Sequence, residues 1–237
     1  MLWLALHLPK LPLQVFQRAT PEAAALAVAE RRRVLAANGQ AQRLGVRADM
    51  GLASALAVAP ELVLRNRDPG REAAALEEIA GWAGQFTPHV SLDPPACVLL
   101  EVQSGLRLFG GLDALARRIE EGCRELGFLA QLAAAPTPLA ARWLARAGCQ
   151  ALIPDPAVLG EALDRLPLDV LDCAPEVIEM LLSIGALAIA DCRKLPRAGL
   201  ARRGASALLD QFDSALGRIP DPRPWFAPLP ATVSGWN

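Results

Sequence analysis

Three side chains at the ends of apolar runs are the first candidates for chemistry. His7 lies within the apolar run Leu2–Leu8, Asp93 stands directly before Pro94-Pro95, and Glu101 follows Val98-Leu99-Leu100. Carboxylate oxygens are the ligands a hard cation such as magnesium prefers. Asp93 alone therefore offers at most a weak ligand for one ion. Glu101 comes several residues later, and strand alternation does not oblige it to point the same way as Asp93. Each residue also has a structural explanation. Asp is favoured in turns. A histidine on an apolar strand is more often a satisfied, partly buried side chain than a ligand or base.

Other motifs carry less. The five cysteines, Cys97, Cys123, Cys149, Cys173 and Cys192, form no C-x-x-C pair, and only two histidines are present, so no zinc site is expected. Thiols without a framework suit a reducing compartment. Gly110-Gly111 reads as a strand-to-helix turn, because no Lys-Ser/Thr follows as in a phosphate-binding loop. Arg31-Arg32-Arg33 reads as a solvated helix face, with phosphate contact as the alternative. Arg193, Lys194, Arg197, Arg202 and Arg203 carry the same two readings.

The elements that would position these residues follow from composition and punctuation. The chain has 237 residues, 53% of them hydrophobic and many of those Ala or Leu, so a large core rich in helix is expected. The net charge of −1 gives no global support for nucleic-acid binding. The N-terminal apolar run lacks a basic flank and reads as a buried strand, not a signal peptide or membrane span, and a cytoplasmic protein is expected. Thr20-Pro21-Glu22 reads as the start of a helix running to about Ala36 and ended by Asn38-Gly39. Further helices are expected near 52–58, 68–86, 112–126 and 137–148, and strands at 61–65, 90–93, 98–102, 128–134 and 151–153. The order, a strand, an insertion, then β–β–α–β–α–β, fits an α+β sheet of the ferredoxin-like type covered on one face by helices. Short helices near 156–164, 175–183, 187–194 and 205–216 follow as a small all-helical unit. The proline-rich tail after Asp221 is expected to be irregular.

Five ordered segments resemble Y-family, lesion-bypass DNA polymerases. They are Leu4–Arg18; Gly45-Val46-Arg47-Ala48-Asp49-Met50 with Ala59-Pro60-Glu61-Leu62; Ser91-Leu92-Asp93 with Leu100-Glu101-Val102 and Leu108-Phe109-Gly110; Ala134 through Ala140; and Ile184-Gly185 through Leu195-Pro196 to Ala215-Leu216-Gly217. The resemblance implies a palm over 1–10 and 68–153, a helical fingers insertion over 11–67, and an all-α thumb over 154–220. Residues 221–237 would be an irregular tail, with the family's C-terminal little finger absent.

The family's chemistry is phosphoryl transfer by two cations about 3.5–4 Å apart. The first of its carboxylates falls at His7, a poor magnesium ligand. Its Asp-Glu pair falls at Asp93 and Pro94, and Pro94 has no ligand atom. The triphosphate-binding Tyr and Arg fall at Gly39 and Gln42, with Arg43 one position off. The steric gate falls near Pro12, and Thr137-Pro138 stands where a Lys would sit. Leu171-Asp172-Cys173-Ala174-Pro175 replaces a Gly-rich phosphate-binding hairpin. With these losses and its leucine-rich start, the chain resembles the ImuB branch, whose members look like inactive polymerases.

That resemblance implies an accessory scaffold in damage-induced translesion synthesis, with no catalytic residue and no cofactor. Its implied partners are an error-prone C-family polymerase, the sliding clamp and an ImuA, RecA-like protein. It implies weak DNA binding at Arg31, Arg32, Arg193, Lys194, Arg202 and Arg203. Two alternatives stand beside it. One is a divergent active polymerase using Asp93 and Glu101 for magnesium. The other is a protein-interaction module without DNA binding.

Overall fold

The computed structural model describes residues 1–227. In chain order its elements are β1 (Trp3–His7), α1 (Leu11–Gln17), β2 (Leu26–Glu30), β3 (Arg33–Ala37), α2 (Gly39–Arg43), α3 (Leu52–Val58), β4 (Val63–Asn66) and α4 (Pro69–Ala83). Next come β5 (Val90–Asp93), β6 (Cys97–Glu101), α5 (Leu106–Phe109), α6 (Leu112–Glu125), β7 (Gln131–Ala135) and α7 (Pro138–Arg146). The chain continues with α8 (Pro156–Asp164), a short 3-10 turn at Leu168–Val170, α9 (Pro175–Ser183), α10 (Ile189–Lys194), α11 (Arg197–Arg202) and α12 (Ser206–Ala215).

Strand β1 is apolar at every position from Leu2 to Leu6, so it lies in the middle of a sheet. The four-stranded sheet has the order β5-β6-β1-β7, and every neighbouring pair is antiparallel. This is the ferredoxin-like arrangement. Both faces of β1 need cover, and both receive it, so the expectation of helices on one face only is corrected. Leu4, Leu6, Val98 and Leu100 point towards α4 and α6. Trp3, Ala5, Leu99 and Ala133 point towards α7 and, beyond it, the helical unit.

The helix starts follow local chemistry. Asp68 accepts a hydrogen bond from the Arg71 amide at 3.1 Å and Pro69 opens α4. Thr137 accepts from the Ala140 amide at 3.3 Å and Pro138 opens α7. Gly110 and Gly111 have φ of 80° and 101°, which gives the turn into α6 at no steric cost. Helices α4 and α6 approach so closely that a Cβ on Gly122 would stand 2.1 Å from the Trp82 ring.

The insertion between β1 and α4 differs most from expectation. Where a helix was expected over 20–36, the chain forms the antiparallel hairpin β2–β3. Arg31 and Arg32, with φ of 48° and 65°, make its two-residue left-handed turn. Strand β4 joins parallel to β2, giving a three-stranded sheet of order β3-β2-β4. The alanines of this stretch favour helix locally, but Leu26–Ala29 is a continuous buried run, and burial outweighs a few tenths of a kcal/mol of propensity per residue. The insertion is therefore mixed, not helical. Asn38 begins a helix instead of ending one. Its Oδ1 accepts from the amides of Ala41 (2.9 Å) and Leu26 (3.1 Å), and its Nδ2 donates to the Ala24 carbonyl at 2.8 Å.

The segment 151–153 adds only a single parallel bridge, Ala134 to Leu152, where a strand was expected. In the helical unit α8 and α9 fall on the expected bounds, while α11 was not foreseen. After α12 the chain is irregular, as expected, yet returns to the sheet: the Phe226 amide donates to the Val90 carbonyl at 2.7 Å. Residues 228–237, part of the expected tail, lie outside the described residues. Among the described residues no helix is long and apolar enough to cross a membrane.

Candidate functional site

A cleft of about 370 Å³ opens where the ends of β1 and α7 and the β5–β6 turn meet the three-stranded unit. Sheet register brings its chemistry together. His7 pairs with Cys97, and Cys97 with Asp93, so the three occupy one row. Side chains opposite one another in a row share a face. His7 and Asp93 therefore do converge, as the sequence alignment of motifs requires. Pro94, in a cis peptide with Pro95, lines the same cleft and adds no ligand atom.

Asp93 is held by two arginines. Its Oδ2 accepts from Arg142 Nη1 at 3.0 Å, and its Oδ1 accepts from Arg223 Nη1 at 2.7 Å. The three side chains are only 11–15% exposed. Each arginine has a second carboxylate. Arg142 also pairs with Asp172, and Arg223 donates to Asp221 at 2.8 Å. Arg146, one turn beyond Arg142 on α7, donates to Asp172 at 2.9 Å. The result is an alternating chain, Asp221–Arg223–Asp93–Arg142–Asp172–Arg146, with three charges of each sign. It ties the C-terminal segment, the sheet, α7 and the loop before α9 to one another.

This electrostatic setting works against metal or base chemistry. Burial first, then the nearby Arg146 and Arg142 charges, hold His7 below the usual histidine range, while a backbone hydrogen bond to Ala96 opposes them. His7 is thus a neutral imidazole. Burial and the Asp93 charge push the Cys97 thiol up, so it is no nucleophile. Glu101 lies on the same face as Asp93 by alternation, but it pairs with Trp3, four residues along β6 from Cys97. At about 3.3 Å per residue that is roughly 13 Å away, too far to share ions about 4 Å apart. Its Oε1 instead accepts from the amides of Leu2 and Gln103. Among the described residues no cluster of three or more His, Cys, Asp or Glu side chains could hold a metal.

The remaining sequence candidates fall in varied places. Gly39 opens α2, and Gln42 donates to the Ala37 carbonyl at 2.8 Å, so it serves the insertion's own backbone. Arg43 is exposed at the end of α2. Pro12 lines the cleft. On the facing wall Arg67 donates twice to the buried Glu72, at 2.8 and 2.9 Å, and once to Glu30 at 3.2 Å. Arg31 and Arg32 are exposed, but on a hairpin tip; the solvated helix face expected there is corrected, because that segment is strand. Arg193 is turned inward, donating to the Gly160 carbonyl and pairing with Asp164, so it braces α10 against α8. Lys194 pairs with Asp191 at 3.7 Å. Arg202 and Arg203 are exposed and make no ion pair among the described residues.

Sequence reading did not single out Arg142, Arg146 or Arg223. The available signal was the i, i+4 spacing of Arg142 and Arg146 on the helix that follows Thr137-Pro138. Arg223 gave none, since it lies in a stretch read as irregular.

Known proteins are similar to this chain in sequence and fold. The impB/mucB/samB family model matches residues 8–146. Protein ImuB of Caulobacter vibrioides (strain NA1000 / CB15N) is 32% identical over 181 residues, which is 73% of this chain and 40% of that protein. The ImuB of strain ATCC 19089 / CIP 103742 / CB 15 matches equally. The chain thus spans about 40% of the length of these curated relatives. Among solved structures, DinB from Sulfolobus solfataricus superposes with a TM-score of 0.71 at 18% identity, covering 94% of this chain and 69% of that one. The post-insertion binary complex of Dbh DNA polymerase gives 0.73 at 19% identity, with the same coverage. The fold is that of the Y-family polymerases, and with a family model matching more than half of its length the chain belongs to the impB/mucB/samB family.

Proposed function

We propose that this chain is a non-catalytic, polymerase-shaped accessory protein of DNA repair by translesion synthesis, acting in the cytoplasm on damaged DNA. In this reading 1–10 and 68–153 are the palm, 11–67 the fingers and 154–220 the thumb. Its task is to bring an error-prone C-family polymerase to the sliding clamp together with an ImuA, RecA-like companion. The similarity to ImuB supports a polymerase-associated role, and the partners are those the resemblance implies.

One observation carries the non-catalytic part. Asp93, the one carboxylate left at the family's metal-binding positions, has both oxygens occupied by guanidinium groups. A magnesium ion arriving there would have to displace two charge-assisted hydrogen bonds, each worth about 1.5–3 kcal/mol. It would find a neutral His7 and a Pro94 in place of further ligands. Of the residues expected to contact DNA, Arg31, Arg32, Arg202 and Arg203 are exposed and make no ion pair among the described residues, and Lys194 is exposed beside Asp191, which is a small set of cations for a phosphate backbone.

Primer extension tests this. The purified chain is incubated with primer-template, nucleotides and magnesium, then manganese, beside Asp93→Ala. No extension is expected, including when a family C-terminal DNA-gripping domain is supplied. Extension that disappears in Asp93→Ala would sink the proposal and establish a divergent polymerase. Absence of any mobility shift of primer-template at low salt would leave a protein-interaction module without DNA binding.

A further inference from the structure

The described residues beyond α12, 216–227, do not trail into solvent. Arg218 pairs with Asp213 at 3.2 Å at one end. At the other, Arg223 reaches Asp93, Trp225 stacks on Trp3 with centroids 5.7 Å and planes 11° apart, and Phe226 bonds to Val90. Between these ends the segment borders an open groove of about 710 Å³, lined also by Met1, Trp3, Pro136 and Pro138. At the far end Phe226 also packs against the sheet core and Trp225 lies 4.8 Å from the His89 ring, so the segment depends on a small cluster of attachments there, and local opening needs those to fail.

The far-end attachments differ in strength. The Phe226–Val90 bond is a single backbone bond on the outer strand of the sheet. Trp225 is 50% exposed despite its stack. Arg223 is only 15% exposed and is the sole donor to Asp93 Oδ1 among the described residues. It also grips Asp221 of its own segment, which fixes the guanidinium before it meets Asp93.

We propose that Arg218–Ala227 is a strap across the sheet and that the Arg223–Asp93 pair is its catch. The catch is a built-in cation at the position where a metal ion would otherwise balance Asp93. Closed, the strap fixes the point from which the chain continues, beside β5. Open, it frees the β5 edge, which then offers unpaired backbone groups, and leaves the following chain tethered from α12. The inference rests on the geometry of the segment and holds whether or not the chain extends primers.

Hydrogen exchange on the whole chain reads the catch directly, through the Phe226 amide and the peptide containing β5. In the unmodified chain both are protected. Arg223→Gln is expected to lower protection over 220–227 by roughly tenfold or more, the loss of one charge-assisted hydrogen bond, while β1, β6 and α12 keep theirs. Arg223→Lys restores part of it. Asp93→Asn gives the same loss from the other partner, with protection in β1 reporting that the fold is intact. If Phe226 stays fully protected in both Arg223→Gln and Asp93→Asn, the catch is disproved. If Trp225→Ala opens the strap and Arg223→Gln does not, the aromatic stack holds it and the proposal is overturned.

Discussion

Replacing Asp93 by Ala separates a carboxylate kept for metals from one kept for arginines, because the two predict opposite signs. Carboxylates gathered to hold cations repel one another when the cations are absent, so deleting one relieves strain and stabilises the fold. Here Asp93 faces two guanidinium groups, and deleting it costs stability. Two charge-assisted hydrogen bonds at about 1.5–3 kcal/mol each set an upper range near 3–6 kcal/mol. Arg142 keeps Asp172 and Arg223 keeps Asp221, so neither cation is left bare, which places the loss near the lower end, about 3 kcal/mol. In a domain of this size that corresponds to a fall of roughly 6–12 °C in melting temperature. Urea unfolding followed by circular dichroism, with a thermal melt beside it, measures both. Asp93→Asn, which keeps one acceptor oxygen, should lose about half as much. An Asp93→Ala chain as stable as the parent, or more stable, would refute a stabilising role for the two-arginine grip on Asp93.

Three further outcomes follow from the same structure. Burial and two arginines depress the His7 pKa below its ordinary 6.5, so below pH 6.5 the unfolded chain takes up a proton that the folded chain refuses. Stability should therefore fall as pH drops from 6.5 towards the folded pKa, by up to about 1.4 kcal/mol per pH unit, and the slope should vanish in His7→Gln melts. Gly122→Ala drives a methyl into Trp82 at the α4–α6 contact and should cost about 1–3 kcal/mol in urea unfolding, with Ser no better tolerated. Fluorescence anisotropy of labelled primer-template should show weak binding whose logarithmic salt slope is no steeper than about −4, one unit for each of Arg31, Arg32, Arg202 and Arg203, and less steep by about two in Arg202→Ala/Arg203→Ala.

What the sequence disclosed, and what it hid, divides by the range of the interactions. Strand β1 was legible because every position from Leu2 to Leu6 is apolar. Helices α8 and α9 were legible because Asp155-Pro156 and Ala174-Pro175 mark their starts locally. The hairpin β2–β3 was not legible, because an alanine-rich stretch carries a helical propensity that only burial against its neighbours overrides. At the site, His7, Asp93 and Pro94 were placed by motif order, and sheet register brings them into one cleft. The clamp was invisible for a different reason. Arg142 and Arg223 lie 49 and 130 residues from Asp93, and no local pattern distinguishes an arginine that will meet a carboxylate at that distance from one that will face water.

The two arginines on Asp93 also account for a largely buried carboxylate at the meeting of β1, the β5–β6 turn and α7. A single carboxylate, 11% exposed among prolines and a neutral histidine, is costly unless a positive charge meets it. A magnesium ion is a poor solution beside His7, a weak ligand for it, and Pro94, which offers no side-chain ligand atom, since it demands several oxygens at fixed geometry. Arginine demands less: a planar fork that delivers charge and directed hydrogen bonds from a side chain already anchored in the fold. With one guanidinium from α7 and one from the C-terminal strap, Asp93 is balanced without metal, nucleotide or DNA. The same two contacts join parts of the chain that are distant in sequence. Neutralising Arg223 should therefore loosen the C-terminal join and uncover one carboxylate oxygen in a single step, so stability and strap protection should fall together in Arg223→Gln and Asp93→Asn, whereas Arg142→Gln should lose stability and keep strap protection, because Arg223 still meets Asp93 Oδ1.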